Sequence, residues 1–236
     1  MVNQADRAAI TGPGASPSPS EADGLHIQAA DLSLAGKPLF APISVSIPPG
    51  RIVSIMGASG SGKSSLLGYL TGTLDPAFVA TGSVWLNGRR IDGLPPEQRR
   101  LGLLLQDDLL FPHLTVAGNL LFGVPKTGQR THRRRRVDAA LQAVGLAGFG
   151  DRDPATLSGG QRARVALLRT LLAEPAAVLL DEPFSRLDAG LKEGYRQLVF
   201  AHIAQRQLPA ILVTHDPEDT RHAAGPVITL QSCSSL

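Results

Sequence analysis

The sequence predicts an α/β domain in which a helical subdomain is inserted into a mostly parallel sheet. Short apolar runs recur along the chain, each followed by a turn and a longer stretch that suits a helix, which is the pattern of buried parallel strands. The four clearest runs are residues 52–56, 102–105, 178–181 and 210–214. Between the second and third runs, Val137, Leu141 and Val144 fall at helical spacing. A mostly helical insert of about residues 107–171 is therefore expected.

Length and composition favour one globular domain preceded by a tail. A chain of 236 residues is long enough for one well-cored domain and too short for two of this kind. Hydrophobic residues make up 43% and charged residues 18%, which excludes a largely disordered or collagen-like chain. Residues 12–20 contain only glycine, proline, alanine and serine and cannot offset their ordering entropy. We expect a disordered tail over residues 1–24, with a proline-motif ligand as the less favoured alternative, and a folded domain over residues 25–236.

No segment is predicted to cross a membrane. The uncharged stretch 109–125 is interrupted by glycine, proline and polar residues, and a spanning helix needs roughly 20 mostly apolar residues. The N-terminus lacks the features of a secretory signal and Cys233 is the only cysteine, so a reducing cytosolic compartment is expected. The net charge of +3 is a mild excess that leaves nucleic acid, anionic lipid and no specific partner open as explanations.

A glycine-rich segment follows the first apolar run and precedes a stretch that suits a helix. Its residues are Gly57, Ala58, Ser59, Gly60, Ser61, Gly62, Lys63 and Ser64, and Ser65 opens the helical stretch. The first eight fit the phosphate-binding pattern G-x-x-x-x-G-K-[ST] in the required strand and helix context. Glycines let backbone amides approach phosphate oxygens, Lys63 would reach the β and γ phosphates, and the Ser64 hydroxyl would bind Mg²⁺. A glycine-rich structural turn is the disfavoured alternative.

Two carboxylates end the third apolar run. Asp181 and Glu182 follow residues 178–180, so they are expected at the carboxyl edge of the sheet, where open α/β folds bind ligands. Asp181 would hold Mg²⁺, and Glu182 would polarise the water that attacks the γ phosphate. Alone, a strand that ends in acids is more often a solvated end. Together with the glycine-rich segment it indicates a catalytic site.

A second anion-binding helix start is predicted farther along the chain. Leu157 is followed by Ser158, Gly159, Gly160 and Gln161, so a serine and two glycines stand where a helix begins. An ordinary helix cap is the alternative. The string resembles the signature of the ABC ATPase family. In that family the signature binds the γ phosphate of an ATP that is held by the glycine-rich phosphate-binding loop (P-loop) of the opposite subunit.

Other motifs of this family occur in the family's order. Gln106 follows a short apolar run, Asp188 ends the string S-R-L-D, and His215 follows the last apolar run. By resemblance, Gln106 contacts Mg²⁺ and the attacking water and signals to a membrane partner. Asp188 would link two subunits, and His215 would contact the γ phosphate. The resemblance covers about residues 25–230.

The resemblance implies a fold, an activity and a first partner. The fold would be a P-loop NTPase of the ABC type, with a mostly parallel core sheet, an antiparallel β subdomain and an inserted helical subdomain. The activity would be ATP hydrolysis with ATP and Mg²⁺. The nucleotides would be held between this chain and a second copy of itself.

Two residues depart from the family pattern. Members usually place an aromatic residue, which stacks on adenine, just before the glycine that corresponds to Gly36, whereas this chain has Ala35. Phe40 is the nearest aromatic residue on that side and is expected in the core. The resemblance therefore assigns no stacking partner to the base and predicts weak discrimination between ATP and GTP. Arg186 stands where the family commonly has alanine, and sequence alone offers no account of its effect.

A run of basic side chains precedes the helical spacing in the insert. Arg133, Arg134, Arg135 and Arg136 come directly before Val137. A phosphate-rich partner such as nucleic acid or lipid headgroups is one interpretation. No aromatic residues interleave with the arginines, so a solvated basic face is favoured and no nucleic acid is expected.

Within the family, the sequence favours a motor for solute uptake. Residues 109–116, with the sequence LLFPHLTV, and Asn119 resemble a segment in ATPases of bacterial binding-protein-dependent importers for thiamine, polyamines, sulfate, molybdate and ferric iron. There the segment helps to form the groove that receives a permease helix. We therefore expect a transmembrane permease and a solute-binding protein as partners, and a position on the cytoplasmic side of the cell membrane. An exporter motor is the alternative, and a soluble ABC protein is less favoured because the chain has no second P-loop and no sustained heptads.

Overall fold

The computed structural model of the protein describes residues 23–127 and 129–231, which form two sheets and a set of helices. The strands are β1 (Leu25–Leu34), β2 (Lys37–Pro38), β3 (Ile43–Ile47), β4 (Ile52–Gly57), β5 (Phe78–Leu86), β6 (Arg89–Arg90), β7 (Leu101–Leu104), β8 (Ala177–Asp181), β9 (Ala210–Val213) and β10 (Val227–Leu230). The α-helices are α1 (Lys63–Thr71), α2 (Val116–Gly123), α3 (Arg130–Ala143), α4 (Gly159–Leu172), α5 (Ala189–Gln205) and α6 (Pro217–Ala223). The predicted tail falls almost wholly outside the described residues, as does Cys233.

A parallel sheet with the strand order β10-β4-β9-β8-β7 forms the centre of the fold. Its side chains are apolar on both faces. Leu179 and Ile211 pack towards the second sheet and α1, whereas Leu180 and Leu212 pack against α4 and α5. Burial on both faces explains why these strands have continuous apolar runs. The predicted parallel sheet is confirmed, and each of its four predicted strands differs from the observed one by at most one residue at either end.

The second sheet is antiparallel. Its order is β2-β1-β5-β6, and β3 also pairs with β1. The pairing of β1 shifts register near residues 28–30, and a Cβ at Gly82 opposite this bulge would lie 2.5 Å from Ala29 O. Glycine is therefore required where the two backbones approach most closely. The antiparallel sheet expected from the resemblance is confirmed.

Helices occupy much of the chain between β7 and β8. α2 packs against α4 and α3, and Val137 and Leu141 of α3 are buried in the cluster between them. α3 begins at Arg130, so the basic run lies inside the helix rather than before it. None of the helices in the described part of the chain combines the length and the apolar composition that crossing a membrane requires.

Three arginines of the basic run bond to neighbouring parts of the chain, so the favoured interpretation of a solvated face was incomplete. Arg133 Nη2 donates to the carbonyl oxygens of Leu121 and Val124 at 2.8 and 3.0 Å. Arg134 and Arg136 form ion pairs whose partners are Asp151 at 3.2 Å and Glu174 at 2.6 Å, respectively. The guanidinium groups thus join α3 to α2 and to the loops that flank α4.

Candidate active site

The glycine-rich segment forms the turn between β4 and α1, at the carboxyl edge of the parallel sheet. α1 begins at Lys63, and Gly62 precedes it with φ 91°. A Cβ at Gly62 would lie 2.8 Å from the ring of Phe40, which is buried beneath the turn as predicted. Within the described residues, no side chain caps α1. The first amide groups of this helix are therefore available to an anion such as phosphate.

Polar groups inside the turn also fit a phosphate ligand. Lys63 is only 9% exposed, and its Nζ donates to Gly57 O and Ala58 O at 2.8 Å each. Ser61 Oγ is buried, and among the described residues it has no hydrogen-bond partner. A buried hydroxyl without a partner is costly unless a ligand supplies one. This turn therefore has the cation and the donors that bind phosphate oxygens.

Two acids and a histidine lie at the ends of β8 and β9. Glu182 directly follows β8 with φ 46°, and its N–H donates to Val213 O at 2.9 Å. The bond extends the pairing of the two strands past Asp181 and holds Glu182 in a backbone conformation that is unfavourable for a non-glycine residue. Glu182 Oε2 lies 3.1 Å from Nδ1 of the exposed His215. The carboxylate is thus oriented by the strand pairing and by the imidazole.

Burial raises the pKa of Asp181, and the neighbouring Glu182 carboxylate raises it further, while Lys63 opposes the shift. A carboxylate that is half-buried next to a second carboxylate gains from a nearby cation. Ser64 lines the same cleft. The Asp181 carboxylate and the Ser64 hydroxyl are therefore suitable ligands for Mg²⁺, which prefers oxygen atoms.

The turn and the strand ends line one cleft of about 430 Å³. Of the predicted site residues it contains Gly57, Ser59, Gly60, Gly62, Lys63, Ser64, Ser65, Asp181, Glu182 and His215. Three apolar residues that no motif indicated, Leu34, Leu39 and Phe78, line it as well. Leu34 and Phe78 are register partners on β1 and β5, so only the strand pairing could have identified them together. The cleft thus joins a polar, phosphate-type region to an apolar one.

The signature lies outside this cleft. Ser158 caps α4 by accepting from Gln161 N at 3.3 Å, and Gln161 Oε1 accepts from Ser158 N at 3.0 Å, which is a capping box. Ser158 and Gly159 are exposed. Gln106 and Gly159 line a separate cavity of about 140 Å³. Within one chain, the structure therefore does not bring the signature or Gln106 to the glycine-rich turn.

The string S-R-L-D, residues 185–188, lies next to this second cavity. The contacts of Arg186 there explain its role in the structure. The Arg186 guanidinium forms an ion pair with Asp107, the residue after Gln106. Asp108 in turn accepts from Arg162 Nε of α4 at 2.9 Å. The segment that contains Gln106 is thus tied to the signature helix and to the segment that leads into α5.

Asp188 stands at the start of α5, close to the signature. Its carbonyl oxygen accepts from Leu191 N at 2.9 Å, and its side chain makes no capping bond to the described part of the chain. A Cβ at Gly160 would lie 3.0 Å from Leu191 Cδ1. Asp188 and the signature therefore belong to one exposed surface of the chain.

Comparison with known proteins agrees with these motifs. Residues 40–185 match a family model described as ABC transporter. An uncharacterized ABC transporter ATP-binding protein of Escherichia coli is 48% identical over 195 residues, covering 83% of this chain and 90% of the relative. An Fe(3+) ions import ATP-binding protein of Haemophilus influenzae is 40% identical and a sulfate/thiosulfate import ATP-binding protein of Gloeobacter violaceus is 41% identical, each over 80% of this chain. The chain spans about half the length of these two importer proteins, 54% and 55%.

A solved structure extends the comparison to the fold. The ATP-binding cassette MJ0796, as a dimer in a post-hydrolysis state bound to ADP and Pi, is 28% identical and superposes with a TM-score of 0.72. The match covers 88% of this chain and 94% of the cassette. The similarity in fold therefore extends over most of the chain.

Proposed function

The chain belongs to the ABC transporter family as an ATP-binding subunit with ATPase activity, and we propose that it powers solute uptake through a separate permease. The observation that carries the proposal is the cleft in which the glycine-rich turn, Lys63 and Ser64 face Asp181, Glu182 and His215. Such a cleft holds a cation and helix-start amides for phosphates at one side and a carboxylate for proton transfer at the other.

ATP binding would use the glycine-rich turn, Lys63 and Ser64. The γ and β phosphates would lie on the amides at the start of α1, with Lys63 neutralising part of their charge. Ser64 and Asp181 would hold Mg²⁺, which supplies charge neutralisation for the transferred phosphoryl group when bound. Exchange of the internal bonds of Lys63 to Gly57 O and Ala58 O for phosphate oxygens is the local change that binding requires.

ATP hydrolysis would use Glu182 and His215. As a water oxygen bonds to the γ phosphorus and the bond to the ADP oxygen breaks, the Glu182 carboxylate would accept the proton of that water. His215, 3.1 Å from Glu182, would orient this carboxylate and contact the γ phosphate. The products are ADP and inorganic phosphate.

A second copy of the chain would complete the site. The signature is an anion-binding helix start on the exposed surface that also contains Asp188, and it does not line the cleft of its own chain. Facing chains would place each signature on the γ phosphate held by the other. The dimeric cassette bound to ADP and Pi supports this arrangement.

An exposed apolar patch supports the permease partner. Leu109 and Phe122 are 57% and 70% exposed, and the ring of Phe111 lies 4.8 Å from that of Phe122. Asn119 is fully buried and fixes the loop beneath, because its Nδ2 donates to Phe111 O at 3.1 Å and its Oδ1 accepts from Phe111 N at 2.7 Å. The resemblance to importers supports this patch as the surface that would receive the permease helix. The iron and sulfate import relatives support uptake as the direction.

Purification of the tagged chain from its native membranes tests the proposal. A permease together with a solute-binding protein is the expected set of companions. A permease alone would favour export, and ribosomes or DNA would overturn transport. Phe122→Ser should release the permease without changing ATP binding, whereas Val79→Ser, at a residue that is 64% exposed on β5, should retain it. Equal retention by both variants would contradict docking at the patch.

A further inference from the structure

On the basis of the proposed nucleotide binding, we propose that Phe78 provides the flat apolar surface on which the base of the nucleotide stacks. Phe78 is the only Phe, Tyr or Trp among the described residues that line the cleft. Leu34 is its partner across β1 and β5 and Leu39 lies near it in the same lining. A nucleotide whose phosphates lie at α1 has only this apolar end of the cleft for its base.

The chemistry of the apolar end matches a base better than a ribose or a phosphate. Leu34, Leu39 and Phe78 carry no charge and no side-chain hydrogen-bonding group, so they cannot satisfy hydroxyls or anionic oxygens. A purine has two apolar faces, and either face can stack favourably on an aromatic ring. The half-buried Phe78 ring keeps a surface available for such a contact.

A short turn holds Phe78 in place before any ligand binds. The N–H of Phe78 donates to Asp75 O at 3.0 Å, and the N–H of Ala77 donates to Asp75 Oδ1 at 2.8 Å. Asp at the first position and Pro76 at the second position are the residues that this kind of turn favours. The register with Leu34 then fixes the strand that follows. Little ordering entropy remains to be lost when the base binds.

The position where the family usually has its aromatic residue does not contribute. Ala35 is exposed at the tip of the hairpin between β1 and β2, with φ 50° next to Gly36 with φ 76°, and it does not line the cleft. Phe40 is buried beneath the turn. Phe78, on β5, therefore takes the place of the aromatic residue that the family usually has at the position of Ala35.

Binding measured by calorimetry tests this assignment with Mg²⁺ and three probes: ATP, GTP and inorganic tripolyphosphate. Phe78→Ala should weaken ATP and GTP by about tenfold or more, roughly 1.4 kcal/mol, and leave tripolyphosphate unchanged. Phe78→Trp should restore nucleotide binding, and its introduced indole should be quenched by ATP but not by tripolyphosphate. Val79→Ala, one residue along the same strand, is the matched control and should change no probe by more than about twofold.

The outcomes separate this inference from the function on which it rests. Failure of the parent protein to bind either nucleotide would overturn the proposed function. Parental ATP binding by Phe78→Ala, or an equal loss of ATP and tripolyphosphate, would overturn the role of Phe78 alone. If Phe78→Ala does not fold, Phe78→Leu keeps apolar bulk without the ring. A loss of nucleotide binding in that variant, restored in Phe78→Trp, supports stacking, and parental binding in Phe78→Leu overturns it.

Discussion

The two helix starts that carry the phosphate-binding motifs differ in how they are capped. At α1, Gly62 precedes the helix, and none of the side chains that the structure describes caps it. At α4, Ser158 and Gln161 form a reciprocal capping box. The first helix start lies in a cleft with Lys63 and Glu182, whereas the second lies on an exposed surface.

The difference in capping indicates which end depends on a ligand. Amide groups at a helix start need partners. The Ser158 side chain supplies one to the amide of Gln161 in α4, whereas no described side chain does so in α1. A surface end that is already capped can remain stable until another molecule approaches it. One chain therefore contains two half-sites: the α1 helix start, which depends on a ligand, and the α4 helix start, which is stable without one. Each of the following changes tests that division.

The largest effect is expected for Glu182→Gln, because the division places the hydrolytic group beside α1. The amide preserves the shape of the carboxylate but cannot accept the proton of the attacking water, so phosphate release should fall about 10²- to 10⁴-fold while ATP binding is retained. Size-exclusion chromatography with ATP and Mg²⁺ should show a stabilised dimer. Glu97→Gln, at an exposed glutamate on a short 3-10 turn, is the control. Hydrolysis at the parental rate in Glu182→Gln would exclude this carboxylate.

A mixed dimer tests whether the two half-sites combine between chains. One chain carries Lys63→Ala, the other carries Gly160→Asp, and both carry Glu182→Gln so that turnover cannot empty the site. A shared site leaves one intact pairing of glycine-rich turn with signature, because both defects fall in the other pairing. Near one ATP should be trapped per purified dimer. No trapped ATP in a dimer that is demonstrably formed would contradict the shared site.

The same substitution at the two helix starts should have unequal effects. Gly62 has φ 91° and a Cβ there would lie 2.8 Å from the ring of Phe40, whereas a Cβ at Gly159 would lie 4.0 Å from the nearest described side-chain atom, Arg162 Nη2. Gly62→Ala should lower the free energy of unfolding by roughly 1–3 kcal/mol and weaken ATP binding, and Gly159→Ala should change stability by less than about 0.5 kcal/mol. Urea unfolding measures both. Equal destabilisation would remove the distinction between the two ends.

Loss of the α4 cap should cost about 1 kcal/mol. Ser158→Ala leaves the amide of Gln161 without its acceptor, and such caps contribute roughly 0.5–2 kcal/mol. Thr115→Ala is the comparison, because Thr115 Oγ1 caps α2 by accepting from Gly118 N at 3.1 Å. Urea unfolding should show similar losses for both. An unchanged Ser158→Ala beside a destabilised Thr115→Ala would mean that α4 is not held by its own cap.

The smallest effect is expected at the ion pair beside the signature. Arg186 and Asp107 are 60% and 49% exposed, and exposed pairs contribute roughly 0.2–1 kcal/mol. A double-mutant cycle with Arg186→Ala and Asp107→Ala should give a coupling energy in that range, reduced by salt. The buried pair of Arg196 and Asp219, 7% and 3% exposed, provides the contrast, because breaking a buried pair costs about 3–5 kcal/mol. A coupling energy between Arg186 and Asp107 as large as that between Arg196 and Asp219 would contradict a weak, exposed ion pair.

The position of functional residues could be predicted from the sequence where those residues are neighbours in the chain. The strand, the glycines and Lys63 are neighbours in the chain, so their spacing alone predicts the turn at the sheet edge. For the same reason the sequence predicts Asp181 and Glu182 at the end of a strand, and β8 ends at Asp181. The contacts of the basic run are less predictable, because the partners of Arg133 and Arg136 lie in other parts of the chain.

The sequence by itself determined the class of fold, the order of the motifs and the residue types that bind phosphate, because apolar periodicity and local spacing encode strands, helices and turns. Only the tertiary structure decided that Phe78 lies beside Leu34 in the cleft and that Arg186 meets Asp107. It also decided that the α1 helix start, rather than the α4 one, shares a cleft with Glu182. These are contacts between residues far apart in the chain, and they depend on strand register and packing, which no local pattern specifies.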